Sequence, residues 1–208
     1  MGRPLAILLL FWVICATQVT HAWDYDSLSV DVKKQLTGGD AVILTCRPDD
    51  QGTPDRRFVT AALLIVGTRT SIWEVIHDKE NAEEFVGGVI ESRVISEKEN
   101  ELVVEQRTKA AGSKSYLYTL RHQLTPMKRA DFALVNGELR NVLGSWWIFE
   151  GPDVDWYLVV YSLHVDPGFF VPQAVVRSGM KKSMPGTLQS MEREVKRRNV
   201  ELMQSGLP

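Results

Sequence analysis

Near the C-terminus, Val176, Met180, Met184, Leu188, Met191 and Val195 recur at spacings of four, four, four, three and four. That period places six apolar side chains on one face of a single long helix, and such a helix needs an apolar surface to lie on. Two upstream segments provide one. Residues 139–149 and 156–165 are rich in Val, Leu, Trp and Tyr, and the turn-forming Gly151, Pro152 and Asp153 between them predict an antiparallel pair. Asp166-Pro167-Gly168 ends the second strand, and Phe169-Phe170-Val171-Pro172 leads into the helix. A long helix laid across an antiparallel sheet makes a cavity more naturally than a catalytic centre.

The N-terminus bears on the compartment. Arg3 precedes a continuous apolar run over residues 5–16, and Thr20-His21-Ala22 puts small residues at the two positions a signal peptidase reads. This predicts a secretory signal over residues 1–22, cleaved after Ala22, since twelve apolar residues are too few for an ordinary span. An uncleaved N-terminal anchor is the alternative. Lipidation at Cys15 is disfavoured by the bulky Ile14 before it. The chain is thus expected to be exported, to a periplasm or to the extracellular space. Without Arg3, the only charge in that segment, 23 basic residues face 26 acidic ones. Such a balance gives no reason to expect nucleic acid as a partner. Cys46 is then the only cysteine, which excludes an internal disulfide, and its apolar run predicts a small core residue.

Between the ends the pattern is that of one domain over residues 40–203, with an N-terminal extension at 23–39 and a short tail at 204–208. The extension carries one helical turn around 29–36. Strands are expected at 41–47 and 57–66. A short helix follows, capped by Thr68, Thr70 or Ser71, with capping-box spacing from Ser71 to Glu74. Asp78 is placed to cap a second short helix ending near Phe85, stopped by Gly87-Gly88. The period then changes to two, predicting strands at 89–96, 101–110, 114–124 and 129–135.

In this order several short motifs resemble one family. Ser71-Ile72-Trp73-Glu74-Val75-Ile76-His77-Asp78 resembles its first helix, and Glu83-Glu84-Phe85-Val86 the step before its next strand. Gly144-Ser145-Trp146 with Phe149-Glu150, and Val165-Asp166-Pro167-Gly168 with Phe170-Val171-Pro172, resemble the strand and lead that precede its last helix. The chain, from about Asp40 to Arg198, resembles the START-like (SRPBCC) superfamily, in its polyketide cyclase/dehydrase and coenzyme-Q-binding branch. The resemblance implies an α+β helix-grip fold: a curved antiparallel sheet wrapped around a long C-terminal helix, with two short helices after the first strands. It also implies a hydrophobic cavity between sheet and helix.

The residues expected to line that cavity are Tyr118, Trp146, Ile148, Tyr157, Val159, Tyr161, Leu163, Phe169, Phe170, Val176, Met180 and Met184. Methionines offer a polarizable surface for a variable apolar guest, and Trp and Tyr offer large walls with polar tips. Period two puts Tyr157, Val159, Tyr161 and Leu163 on one face, taken as the inner one. Whether Trp146 or Trp147 joins them is left open by the sequence. Plain core is the competing reading of the same stripe. Phe169 and Phe170, beside Arg177, Lys181 and Lys182, suit a gate that also touches a bilayer transiently, or a staple of helix onto sheet.

Linear catalytic signatures are missing: no G-x-S-x-G, Walker loop, dinucleotide fingerprint, H-E-x-x-H or C-x-x-C occurs. His77 is expected to be exposed. His122 and His164 lie in strands, and His164 with Asp166 is too sparse a set for a metal. Glu105 and Arg107 share a strand face, as a solvated pair or as a buried acid site. The expected function is an exported domain that binds a hydrophobic small molecule, a lipid or isoprenoid quinone, as carrier or chaperone, with no cofactor or metal. Two alternatives stand beside it: a cyclase or dehydratase using the same cavity, and a surface-acting envelope module with a filled core.

Overall fold

The computed structural model describes residues 23–50, 52–109, 114–168 and 171–205. The expected signal segment, the Phe169-Phe170 gate and the last three residues lie outside the described residues. Eight strands form one antiparallel sheet in the order β1-β2-β8-β7-β6-β5-β4-β3. They are β1 (Val42–Leu44), β2 (Val59–Val66), β3 (Val89–Lys98), β4 (Glu101–Lys109), β5 (Ser115–Thr125), β6 (Arg129–Gly137), β7 (Asn141–Glu150) and β8 (Trp156–Asp166). The helices are α1 (Val30–Thr37), α2 (Arg69–His77), α3 (Ala82–Phe85) and α4 (Gln173–Ser205). This is the helix-grip architecture, with α4 lying mainly against β2 and β8.

Local chemistry accounts for the boundaries. Ser29 caps α1 by accepting from the Val32 N–H. Thr68 caps α2, accepting from the Ser71 N–H at 3.0 Å. The Ser71–Glu74 box does not form, because Ser71 already sits inside the helix, where its hydroxyl donates to the Thr68 carbonyl. Asp78 ends α2 instead of starting α3, whose first-turn position is flanked by Asn81. The Asp78 carboxylate still accepts from the Asn81 N–H and side-chain amide, tying the two helices together. The first expected strand is shorter than its apolar run. The chain bends after Leu44, and Cys46 is half-buried at that bend, as a free thiol.

Alternation along the strands divides the buried residues into two cores. The larger, between sheet and helices, takes Leu63 and Ile65 of β2, Leu102 and Val104 of β4, and Val159 of β8, with Ile72, Val75 and Ile76 of α2. The α4 stripe closes it: Met180, Met184, Leu188, Met191 and Val195 are all buried and Val176 packs at the margin. The smaller core lies on the opposite face, where Leu64, Trp147, Leu158 and Val160 meet Leu36. Trp23, Tyr25 and Leu28 of the N-terminal segment pack against it, and the Trp23 ring stands 4.9 Å from that of Phe149. That segment therefore covers the back of the sheet, away from α4.

β3 is the exposed edge. Arg93 pairs with Glu105 at 3.0 Å and Arg107 with Glu91 at 2.9 Å, so charged cross-strand pairs cover the outer side of this edge. Glu105 and Arg107 are thus a solvated face and not a buried acid site. Pro185 sits in the middle of α4 and cannot donate to the Lys181 carbonyl, which removes one bond from the helical ladder.

Candidate ligand-binding site

Strand register brings the expected residues together. Trp146 of β7 stands opposite Tyr161 of β8, and Ile148 opposite Val159. Their side chains point to the α4 side, with the Trp146 and Tyr161 rings stacked at 3.8 Å and 5°. Trp147 belongs to the other face, beneath the Arg129 guanidinium at 5.1 Å. The ten described candidates all belong to the sheet–helix core. Tyr118, Trp146, Ile148, Val159, Tyr161, Met180 and Met184 are buried, while Tyr157, Leu163 and Val176 are partly exposed at its margin.

The ends of this interface differ. At one end Tyr157 is capped by Arg69, whose guanidinium lies 4.9 Å from the ring centre and donates to the Met127 and Ile148 carbonyls. At the other end, where β8 runs out and α4 begins, Leu163, Val165 and Val176 are only partly covered. Along α4 the exposure falls from 8% at Met180 to 2% at Met184 and 0% at Leu188. The interface is therefore tight beneath the second half of α4 and loosest beneath its first turns.

Two buried residues that were not expected among the cavity lining belong to the same interior. His122 lies on β5 between Leu120 and Leu124, both members of the core, and is 3% exposed. Neither of its ring nitrogens has a hydrogen-bond partner. Its ring packs 5.4 Å from Phe132, which in turn lies over Gly144: a Cβ there would come within 2.1 Å of Phe132 Cζ, so only glycine admits the ring. Lys79, in the link between α2 and α3, is 7% exposed, and its ammonium donates to the Ile76 carbonyl. The two missed residues are electrostatic neighbours.

Their protonation follows from burial. Desolvation pulls Lys79 down to about 8, against the Asp78 carboxylate, which acts the other way. Desolvation, helped by the electrostatic effect of Lys79 and His77, holds the His122 imidazole well below the ordinary histidine range, so it is neutral at pH 7. Burial also pushes the Tyr118 and Tyr161 phenols up, and both are protonated donors. The site is thus an apolar, aromatic interior with a few polar tips and one buried ammonium. Among the described residues no group of His, Cys, Asp and Glu is placed to hold a metal ion.

Two open clefts lie elsewhere. One of about 410 Å³ is bordered by Trp73, Glu74, His77, Asp78 and Arg198, where Arg198 pairs with Asp78 at 2.6 Å. The other, about 320 Å³, lies on the charged β3–β4 edge. Both are open surface hollows outside the sheet–helix interface. His77 borders the first and is half-buried, with its ring 6.2 Å from that of Trp73. His164 sits at the back of the sheet against Phe58, at 5.8 Å, apart from the site.

A helix gripped by a curved antiparallel sheet around an apolar interface defines a START-like protein. The chain belongs to the family described as polyketide cyclase / dehydrase and lipid transport, whose model matches residues 68–192. Solved structures share its fold. An aromatase/cyclase from Streptomyces sp. R1128 is 16% identical with a TM-score of 0.60, over 68% of this chain and 94% of that one. A STAR-related lipid transfer protein from Xanthomonas axonopodis is 14% identical with a TM-score of 0.60, over 75% of this chain and 92% of that one. A protein from Thermus thermophilus is 16% identical with a TM-score of 0.61, covering 68% of this chain and 98% of that one. No curated protein matches the chain.

Proposed function

We propose that this protein is an exported START-like module that takes up a hydrophobic small molecule, a lipid or an isoprenoid quinone, between the sheet and α4, and carries or shields it. The observation that carries this reading is the interface itself. The stacked Trp146–Tyr161 pair and the Met180–Met184 stretch belong to one apolar core between sheet and helix, whose cover is thinnest beneath the first turns of α4. Methionines adjust to the guest, and apolar surface leaving water contributes about 25 cal/mol per Å². Entry beneath the start of α4, with Phe169 and Phe170 touching a membrane, completes the model. The lipid transfer protein among the structural neighbours is consistent with it.

The test is native mass spectrometry of the protein expressed with its own N-terminus, followed by solvent extraction. A stoichiometric lipid or quinone is the expected result. The double substitution Met180→Trp with Met184→Phe should abolish uptake of an environment-sensitive fatty-acid probe while the fold survives. A large loss of stability would show instead a filled core with no room.

A cyclase-type enzyme is the second reading, favoured by His122 and Lys79, a neutral imidazole and an ammonium near neutrality inside an apolar site. Turnover of a poly-β-ketone analogue that is lost in His122→Phe would favour it over carriage.

A further inference from the structure

Among the described residues, Lys79 is a buried cation without a buried anion to match it. Its ammonium makes one hydrogen bond there, to the Ile76 carbonyl at the end of α2. The neighbouring Asp78 carboxylate is taken by Arg198, at 2.6 Å, and by Asn81. The buried carboxylate of α4, Glu194, is held by Arg197 and Arg198 at 2.6 and 2.5 Å. The rest of the buried polar set near the interface is neutral: Gln106, which donates to Ser92, and Thr187, which accepts from the Gly87 N–H. An ammonium so placed has only the Asp78 charge, itself shared with Arg198 and Asn81, to set against its desolvation cost.

His122 presents the complementary deficit. Both ring nitrogens are buried and unpartnered. A neutral imidazole always carries one N–H, so one donor and one acceptor go unmet in an interior where such groups are otherwise paired. The register places this ring on the same row as Leu102, Phe132, Gly144 and Leu163. It therefore lies on the inner face of the sheet, among the residues of the sheet–helix core.

We infer that Lys79 and His122 form the polar pole of the pocket, and that the preferred ligand is an apolar carboxylic acid whose carboxylate accepts from both. The inference rests on the pocket proposed above and names the chemistry of its guest. A carboxylate supplies the anion that Lys79 lacks and the acceptor that an imidazole N–H lacks, while Trp146, Tyr161 and Met180 receive the hydrocarbon. A neutral ester or alcohol satisfies one donor at most and leaves the ammonium uncompensated.

The test compares a fluorescent long-chain carboxylic acid with its methyl ester on the full chain at pH 7. The acid should bind about tenfold or more tightly than the ester, in line with hydrogen bonds to a charged group. Lys79→Met should bring the ratio to about one by lowering the affinity for the acid far more than that for the ester, and Lys79→Gln is the second variant should Met disturb the fold. Histidine NMR should show the His122 titration midpoint rising when the acid binds. Equal binding of acid and ester, or a ratio that survives Lys79→Met, would overturn the head-group assignment while leaving the pocket standing. If neither ligand binds, the pocket itself is wrong and this inference goes with it.

Discussion

Trp146 and Tyr161 stack at 3.8 Å across neighbouring strands, while Trp147, one residue on, points to the opposite core. The two tryptophans are equally buried, at 6% and 4%, so replacing either leaves a large void. Trp146→Leu and Trp147→Leu should each destabilise the fold by about 2–4 kcal/mol. Only Trp146→Leu should also alter the affinity for a fatty-acid probe. Matching losses of affinity in both variants would mean that binding follows overall stability and not the face between sheet and helix.

His122 makes stability sensitive to mild acid. Its folded-state affinity for a proton is depressed by burial and by the electrostatic effect of Lys79 and His77. Below about pH 6.5 the unfolded chain therefore takes up a proton that the folded one refuses, and stability falls as pH falls. The slope attributable to this group is at most about 1.4 kcal/mol per pH unit. Urea titrations at pH 7.0, 6.0 and 5.5 should show a drop that His122→Leu reduces. An identical drop in the variant would place the acid sensitivity elsewhere.

Much of this arrangement was legible because it is written in periods. The six-residue stripe on α4 needed only spacing, and the inward set Tyr157, Val159, Tyr161 and Leu163 needed only alternation. Trp146 against Trp147 required pairing, since register across a strand pair is set between segments and not within one. His122 shares its alternation with Tyr118, Leu120 and Leu124, so its inner position was available from the same rule. What hid it was the absence of a partner motif. Lys79 follows a helix end at His77-Asp78, where a lysine ordinarily reaches water, and its burial comes from the way α2 and α3 fold back on the sheet. The docking of Trp23, Tyr25 and Leu28 on the back face is likewise tertiary, because no periodic signal in residues 23–39 names its target.

Lys79 acts in the alkaline range with the same sign as His122 in mild acid. Its folded value of about 8 lies below the ordinary 10.5, so between these the unfolded chain holds the extra proton and stability rises with pH. The penalty is fully present below pH 8 and amounts to roughly 3 kcal/mol at most. Lys79→Met should therefore be more stable than the parent at pH 7 in the absence of ligand, and the advantage should shrink by pH 10. Thermal melts at pH 7, 9 and 10 decide this. A variant that is less stable at pH 7 would show that the ammonium already has a compensating anion.

Pro185 divides α4 into two parts with different anchorage. The second part is held by Leu188, Met191 and Val195 and by Arg198 on Asp78, whereas the first has Val176 and Met180 at the margin and only Met184, next to the proline, deeply buried. A missing ladder bond between firmly and loosely held halves is where a helix bends most cheaply. Opening the interface beneath residues 173–180 then requires no unpacking of the core beneath the second half. Pro185→Ala restores the bond to the Lys181 carbonyl and should stabilise the protein by about 1–3 kcal/mol. It should also slow release of a bound fatty-acid probe severalfold in stopped-flow displacement, with a smaller change in affinity. Faster or unchanged release alongside higher stability would mean that ligand leaves by another route and that the proline has no part in it.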